Sequence, residues 1–116
     1  MVAQEDGVGA EKLEFRTRLK PGMAEAYQEF HRAIHTELAD VMREAGVLAW
    51  QIYRNGDVLT HRVETLQPSR LARELDPHPV NVSWQRQVAP YLAVGAEPAA
   101  VQYAGALIWD FAWPTR

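Results

Sequence analysis

The sequence predicts an α+β domain in the order βαββαβ, the ferredoxin-like arrangement in which helices cover one face of an antiparallel sheet. Three observations carry this expectation. Apolar residues alternate in "KLEFRTRLK" and "VLAWQIYR", the period of a half-buried strand, and "VLTHRVET" reads as the return strand. The period becomes helical from Met23 to Ala45, and again in a broken arm that starts at Pro68. "NGD" at Asn55 to Asp57 is the strongest short hairpin signal in the chain, and it lies between the two middle strands.

In the first strand Leu13, Phe15, Thr17 and Leu19 share one side, and Pro21 and Gly22 end it. Tyr27, His31, Ile34, Leu38, Val41, Met42 and Ala45 then line one helix face, with Gly46 placed as the C′ residue that stops it. Leu48, Trp50 and Ile52 mark one side of the second strand. Pro68 suits the first turn of a helix over "QPSRLAREL", and Pro77 and Pro79 break that helix. A helical stripe resumes through Val80, Trp84, Val88 and Tyr91 or Leu92. "VGAEPAA" is a loop, and "VQYAGALIWDFAW" is a last strand weakened by Gly105 and closed by Pro114. The sheet face away from the helices is expected to carry Trp50 or its neighbours, Phe15 and part of the last strand. Such a face is too apolar for water, so a second copy or a ligand should cover it.

A length of 116 residues with 47% apolar composition fits one domain over 13–116, preceded by a frayed segment over 1–12. The absence of cysteine excludes disulfides, thiolate metal sites and cysteine nucleophiles. A net charge of -3 without a basic run argues against nucleic acid as a partner. No apolar run approaches the roughly 20 residues that span a bilayer, and the start lacks the pattern of a signal peptide. A cytoplasmic protein with no membrane partner is expected.

No G-x-S-x-G occurs, and "GVGAEK" has no strand before it to make a phosphate-binding turn. His31 and His35 have the spacing of a helical metal pair but lack the intervening Glu of the metalloprotease signature, so no metal or other cofactor is expected. Acid–base chemistry remains. Tyr27, His31 and His35 are spaced four residues apart and point roughly the same way. That stripe is either packing that contains imidazoles or the wall of a pocket where imidazole moves protons near neutral pH. Trp50, Trp84, Trp109 and Trp113 suit either a core or the flat walls of a sugar site, and Trp109 and Trp113 could fill a sheet–sheet contact in a dimer. Arg62 is either a pocket cation or a solvent-facing residue.

Several stretches bring a family into view. "F-x-x-R-L-K-P-G" runs from Phe15 to Gly22, "E-A-Y-Q-E-F-H-R-A-I-H-T-E-L" from Glu25 to Leu38, "G-V-L-A-W-Q-I-Y" from Gly46, and "D-P-H-P-V-N-V-S-W-Q" from Asp76. The sequence resembles the L-rhamnose mutarotases, small dimeric ferredoxin-like α/β-barrel proteins, from about Phe15 to Leu92 and more loosely through the last strand. The spaced Y-x-x-x-H followed by E-L is the most specific part. The resemblance implies an isomerase that interconverts the α and β anomers of L-rhamnose or a related deoxy sugar by general acid–base catalysis. It implies a sugar as ligand, no cofactor, and a homodimer through the sheet face. His31 falls on the family's proton-transferring histidine, Tyr27 on its sugar-binding tyrosine, Trp50 on an aromatic that contacts the sugar, and Trp84 on the first of a tryptophan pair. Gln85 stands where the second tryptophan is usual, His35 and Thr36 replace a tryptophan and a proline, and His61 and Arg62 stand where apolar residues are usual. Gln85, His35 and Arg62 are therefore expected to adapt the pocket, His35 and Arg62 on the strength of this sequence and not of the family. A cofactor-free monooxygenase of the same barrel type and a non-catalytic binding module are the alternatives.

Overall fold

The computed structural model describes residues 11–32 and 36–112. Most of the frayed segment expected at the start lies outside the described residues, as do Ile34, His35, Trp113 and Pro114. The expected strand opens at Glu11, slightly before the expected boundary, because Glu11 already pairs with Thr65.

Strand β1 (Glu11–Arg18) leads into α1 (Ala24–Arg32) and α2 (Thr36–Glu44), which carry the long helical period. Each helix buries the residues its spacing marks: Tyr27 and His31 in α1, Leu38 and Met42 in α2. Gly46 follows with a φ of 97°, the left-handed conformation that stops a helix, and its carbonyl accepts from the Leu66 amide and the Thr65 hydroxyl. Those two bonds tie the helix end to the sheet. Strands β2 (Val47–Asn55) and β3 (Val58–Thr65) form the hairpin read from "NGD". Asn55 pairs with Val58 across a two-residue turn in which Gly56 alone has a positive φ, the pattern of a Gly-first turn.

The second strand departs from simple alternation. A bulge between Val47 and Ala49 makes Leu48 the extra residue. Val47 is thereby turned fully into the core while Trp50, three positions on, still faces the same side. The broken arm is two helices. α3 starts at Pro68–Arg70 and widens into a π turn over Leu71–Leu75, and α4 (Pro79–Val88) ends in a 3₁₀ turn at Ala89–Tyr91. Pro79 occupies the first turn of α4, and the His78 ring accepts from the Val80 amide as its N-cap.

The sheet order is β1-β3-β2-β4, with every neighbouring pair antiparallel. The chain after α4 explains why β4 (Ala106–Ala112) pairs with β2. It first returns to β1, where Leu92 bridges Leu19 and the Ala93 amide donates to Arg18. It then crosses the outer face of the sheet: the Arg16 amide donates to the Glu97 carboxylate, and the Arg16 guanidinium to the Pro98 carbonyl. At the hairpin end of β2 the Asn55 side chain donates to the Tyr103 carbonyl. The last strand is shorter than "VQYAGALIWDFAW" suggests, since it begins only after Gly105, whose φ is 101°. A Cβ on Gly105 would run into the Arg54 carbonyl. Gly105→Ala is therefore expected to cost about 2 kcal/mol or more by combining strain with this clash, and to loosen β4 from β2. Urea unfolding followed by tryptophan fluorescence measures both, because Trp109 sits on β4.

The inner face of the sheet packs on the helices. One cluster gathers Leu38, Met42, Val47, Val63, Leu75 and Trp84, and a second gathers Leu19, Tyr27, Ile52, Leu59 and Val88. Phe15, Trp50 and Trp109 also pack on this inner side, which corrects the expectation that they form an apolar outer face. The outer face instead carries Lys12, Glu14, Gln51, Arg62 and Glu64 around a shallow groove. Alternation sorts residues into two sides, and the helices here took the aromatic one. Among the described residues no helix is long and apolar enough to cross a membrane.

Candidate active site

A cavity of about 430 Å³ opens between the inner face of the sheet and the helices. That volume falls in the range of small-molecule sites, roughly 300–1,000 Å³. Its floor is Phe15 and Thr17 from β1, Trp50 and Ile52 from β2, His61 from β3 and Trp109 from β4. Tyr27 and His31 from α1 and Trp84 and Gln85 from α4 face it from the helical side. The helical spacing that stacks Tyr27 one turn before His31 places both on the buried stripe, and the cavity is where that stripe meets the sheet.

His31 is only 7% exposed and is held by three rings. The Trp109 ring centre lies 4.5 Å from that of the imidazole and the Trp84 ring centre 5.5 Å, both edge-on, and Tyr27 is tilted against it at 5.2 Å. Its Nδ1 is buried without a hydrogen-bond partner among the described residues. Burial pulls the ring's pKa down to about 4, so the imidazole is neutral at pH 7 and offers one N–H and one lone pair. Tyr27 is 3% exposed. Burial pushes its phenol well above the ordinary value, so it stays an O–H donor. Phe30 stacks on both Trp84 (4.9 Å) and Tyr91 (5.2 Å), which fixes the Trp84 wall.

His61 sits in the floor with its plane parallel to Phe15 at 4.5 Å. Its Nδ1 accepts from the Trp50 indole N–H at 3.2 Å, and its Nε2 lies 3.0 Å from the Thr17 hydroxyl. Burial, with the nearby His31 adding to it, lowers its pKa to about 3. At one end of the cavity the Gln85 amide donates to the Asn81 carbonyl oxygen, and the Asn81 amide to the Asp76 carbonyl.

Tyr27, His31, Trp50, Trp84 and Gln85 thus converge on one cavity. Arg62 does not, which corrects its expected place in the pocket. It follows His61 on a strand and so points to the opposite side, where it donates to Glu14 at 2.9 Å and lies over the Tyr53 ring at 4.9 Å. That bond holds the Glu14 carboxyl below its ordinary pKa. His35 lies outside the described residues. Sequence reasoning did not assign Trp109, Thr17, His61 and Asn81 to the site. Thr17 and Phe15 share a side by alternation, which was a usable signal. Trp109 had none, because its position depends on which strand β4 pairs with.

The profile of the L-rhamnose mutarotase family matches residues 12–108. Proteins named L-rhamnose mutarotase are similar along most of their length. That of Brucella anthropi is 34% identical over 92 residues, 78% of this chain and 87% of the relative. That of Sinorhizobium fredii is 36% identical over 94 residues, 78% of this chain and 90% of the relative. That of Verminephrobacter eiseniae is 36% identical over 94 residues, 78% of this chain and 86% of the relative. The chain belongs to the L-rhamnose mutarotase family. Within this mutarotase family member the profile takes in Tyr27, His31, Trp50 and Trp84 and stops one residue before Trp109. The ring packed closest on His31 therefore comes from beyond the matched segment. The family match gives no support to the monooxygenase or non-catalytic readings.

Proposed function

We propose that this protein is a mutarotase that interconverts the α and β anomers of L-rhamnose or a closely related 6-deoxy sugar. The observation that carries the reading is the neutral His31, one turn after the Tyr27 phenol, inside a cavity walled by Trp50, Trp84 and Trp109. The names of the relatives supply the substrate class.

Mutarotation opens the pyranose ring, turns about one bond and closes it again. A proton leaves the anomeric hydroxyl, the C1–O5 bond breaks as a C1 carbonyl forms, and the ring oxygen gains a proton; closure on the other face reverses each step. No net proton is consumed. His31 takes and returns these protons through its lone pair and its N–H, and Tyr27 holds a sugar hydroxyl by donating to it. Such general acid–base help contributes on the order of 10²–10⁴-fold, and positioning in the cavity adds to it. The indole faces pack against the C–H faces of the sugar. The expected homodimer would join outer sheet faces, where Glu14, Gln51, Arg62 and Glu64 offer charge pairing in place of apolar contact.

The test is magnetisation exchange between anomers by NMR, run over a panel of sugars with and without protein. Exchange should quicken for at least one 6-deoxyhexose, and Tyr27→Phe should lower that acceleration about tenfold, the worth of one hydrogen bond. If no sugar in a broad panel exchanges faster, the protein is not a mutarotase.

A further inference from the structure

We propose that Trp50, His61 and Thr17 form a one-way hydrogen-bond chain that frees the Thr17 O–H to donate into the cavity, selecting sugars that turn an oxygen acceptor toward β1. The direction of the chain follows from chemistry. An indole nitrogen can only donate, so His61 Nδ1, which receives the Trp50 N–H at 3.2 Å, must be the bare nitrogen. The neutral ring then carries its proton on Nε2 and donates to Thr17 Oγ1 at 3.0 Å. Thr17 accepts that bond, and its own hydroxyl hydrogen is left to point elsewhere. No bond from it to a described residue is present, while Thr17, His61 and Trp50 all line the cavity. Phe15, stacked flat on His61, keeps the ring from turning out of the chain.

The arrangement gives His61 a task distinct from that of His31. It is a positioning residue, holding the Trp50 wall by one nitrogen and orienting Thr17 by the other. A second proton on His61 would set N–H against N–H at Trp50, so the chain works only with a neutral ring. A hydroxyl whose hydrogen is directed into the cavity discriminates among epimers, because a sugar that offers no lone pair there leaves the donor unpaired. The inference rests on the mutarotase reading for its substrate.

Three measurements test it. The ¹⁵N shifts of the His61 ring should report an Nε2–H tautomer; an Nδ1–H tautomer overturns the chain whatever the activity. Thr17→Val should lower kcat/KM for the preferred sugar about tenfold, mainly through KM, and shrink its preference over the poorest epimer by a similar factor. Thr17→Ser should restore both. His61→Leu should move the Trp50 indole N–H resonance and reproduce the Thr17→Val loss, whereas His61→Gln, which keeps one acceptor and one donor, should retain most of the activity. Unchanged KM and epimer preference in Thr17→Val, with the wild type active, overturn the role of Thr17 alone. A wild type that accelerates no sugar overturns the mutarotase reading, and the selective role falls with it.

Discussion

Replacing His31 with alanine is expected to remove nearly all acceleration of anomer exchange, a loss of about 10²–10⁴-fold, while the protein stays folded and still binds sugar. The size follows from the cavity's inventory. Tyr27 keeps its proton, the indoles only donate, and His61 has both nitrogens engaged by Trp50 and Thr17. Among the described residues lining the cavity, His31 is the one imidazole that keeps a free lone pair beside its N–H against the stacking walls, and the Asp76 carboxylate, which also lines it, has no proton to give at neutral pH. The fold should tolerate the change, because truncation removes a polar ring whose Nδ1 has no hydrogen-bond partner among the described residues, and that relief offsets part of the lost packing against Trp109 and Trp84. Exchange spectroscopy measures the rate, a sugar titration followed by tryptophan fluorescence measures binding, and circular dichroism checks the fold. A variant that keeps more than a tenth of the wild-type acceleration would show that the proton moves through another group.

Mild acid is expected to destabilise the protein more than its carboxylates alone would. His31 and His61 titrate near 6.5 in an unfolded chain, but burial holds them at about 4 and about 3 in the folded one. Between these values the unfolded state binds more protons, so stability rises with pH and falls on acidification. The stabilisation is complete above about pH 6.5. It is lost progressively as pH drops toward 4 for His31 and toward 3 for His61. By pH 5 each ring costs on the order of 2 kcal/mol, a large share of the roughly 5–15 kcal/mol of a typical domain. Urea unfolding at pH 7.5 and pH 5.0 should show this drop, and the double variant His31→Asn, His61→Gln should lose most of it. Equal stability of the wild type at both pH values would mean that the rings titrate freely in the folded state. The same lowered pKa of His31 predicts that kcat/KM stays flat from pH 6 to 8, without an imidazole step near 6.5.

Much of the site is legible in the sequence. A four-residue spacing on a helix puts Tyr27 and His31 on one stripe whatever the rest of the chain does, and Gly46, Gly56 and Pro79 mark breaks by their own backbone preferences. These features are local, set by bonds and contacts within a few residues. The side of the sheet that would be covered was not local. Alternation separates His61 from Arg62 but cannot say which of them meets a helix, so the outward turn of Arg62 and the inward turn of Phe15 and Trp50 appeared only when the layers packed. The bulge at Leu48 shifted that alternation again, for the sake of burying Val47. The place of β4 was the least readable. It depends on a loop that crosses the sheet and is pinned by bonds such as Arg16 to Pro98, 82 residues apart, and Asn55 to Tyr103, 48 apart. Trp109 reaches His31 only through that path. Helices, turns and the acid–base pair follow from near neighbours along the chain. Which aromatic rings enclose that pair follows from contacts between residues that only the assembled layers bring together.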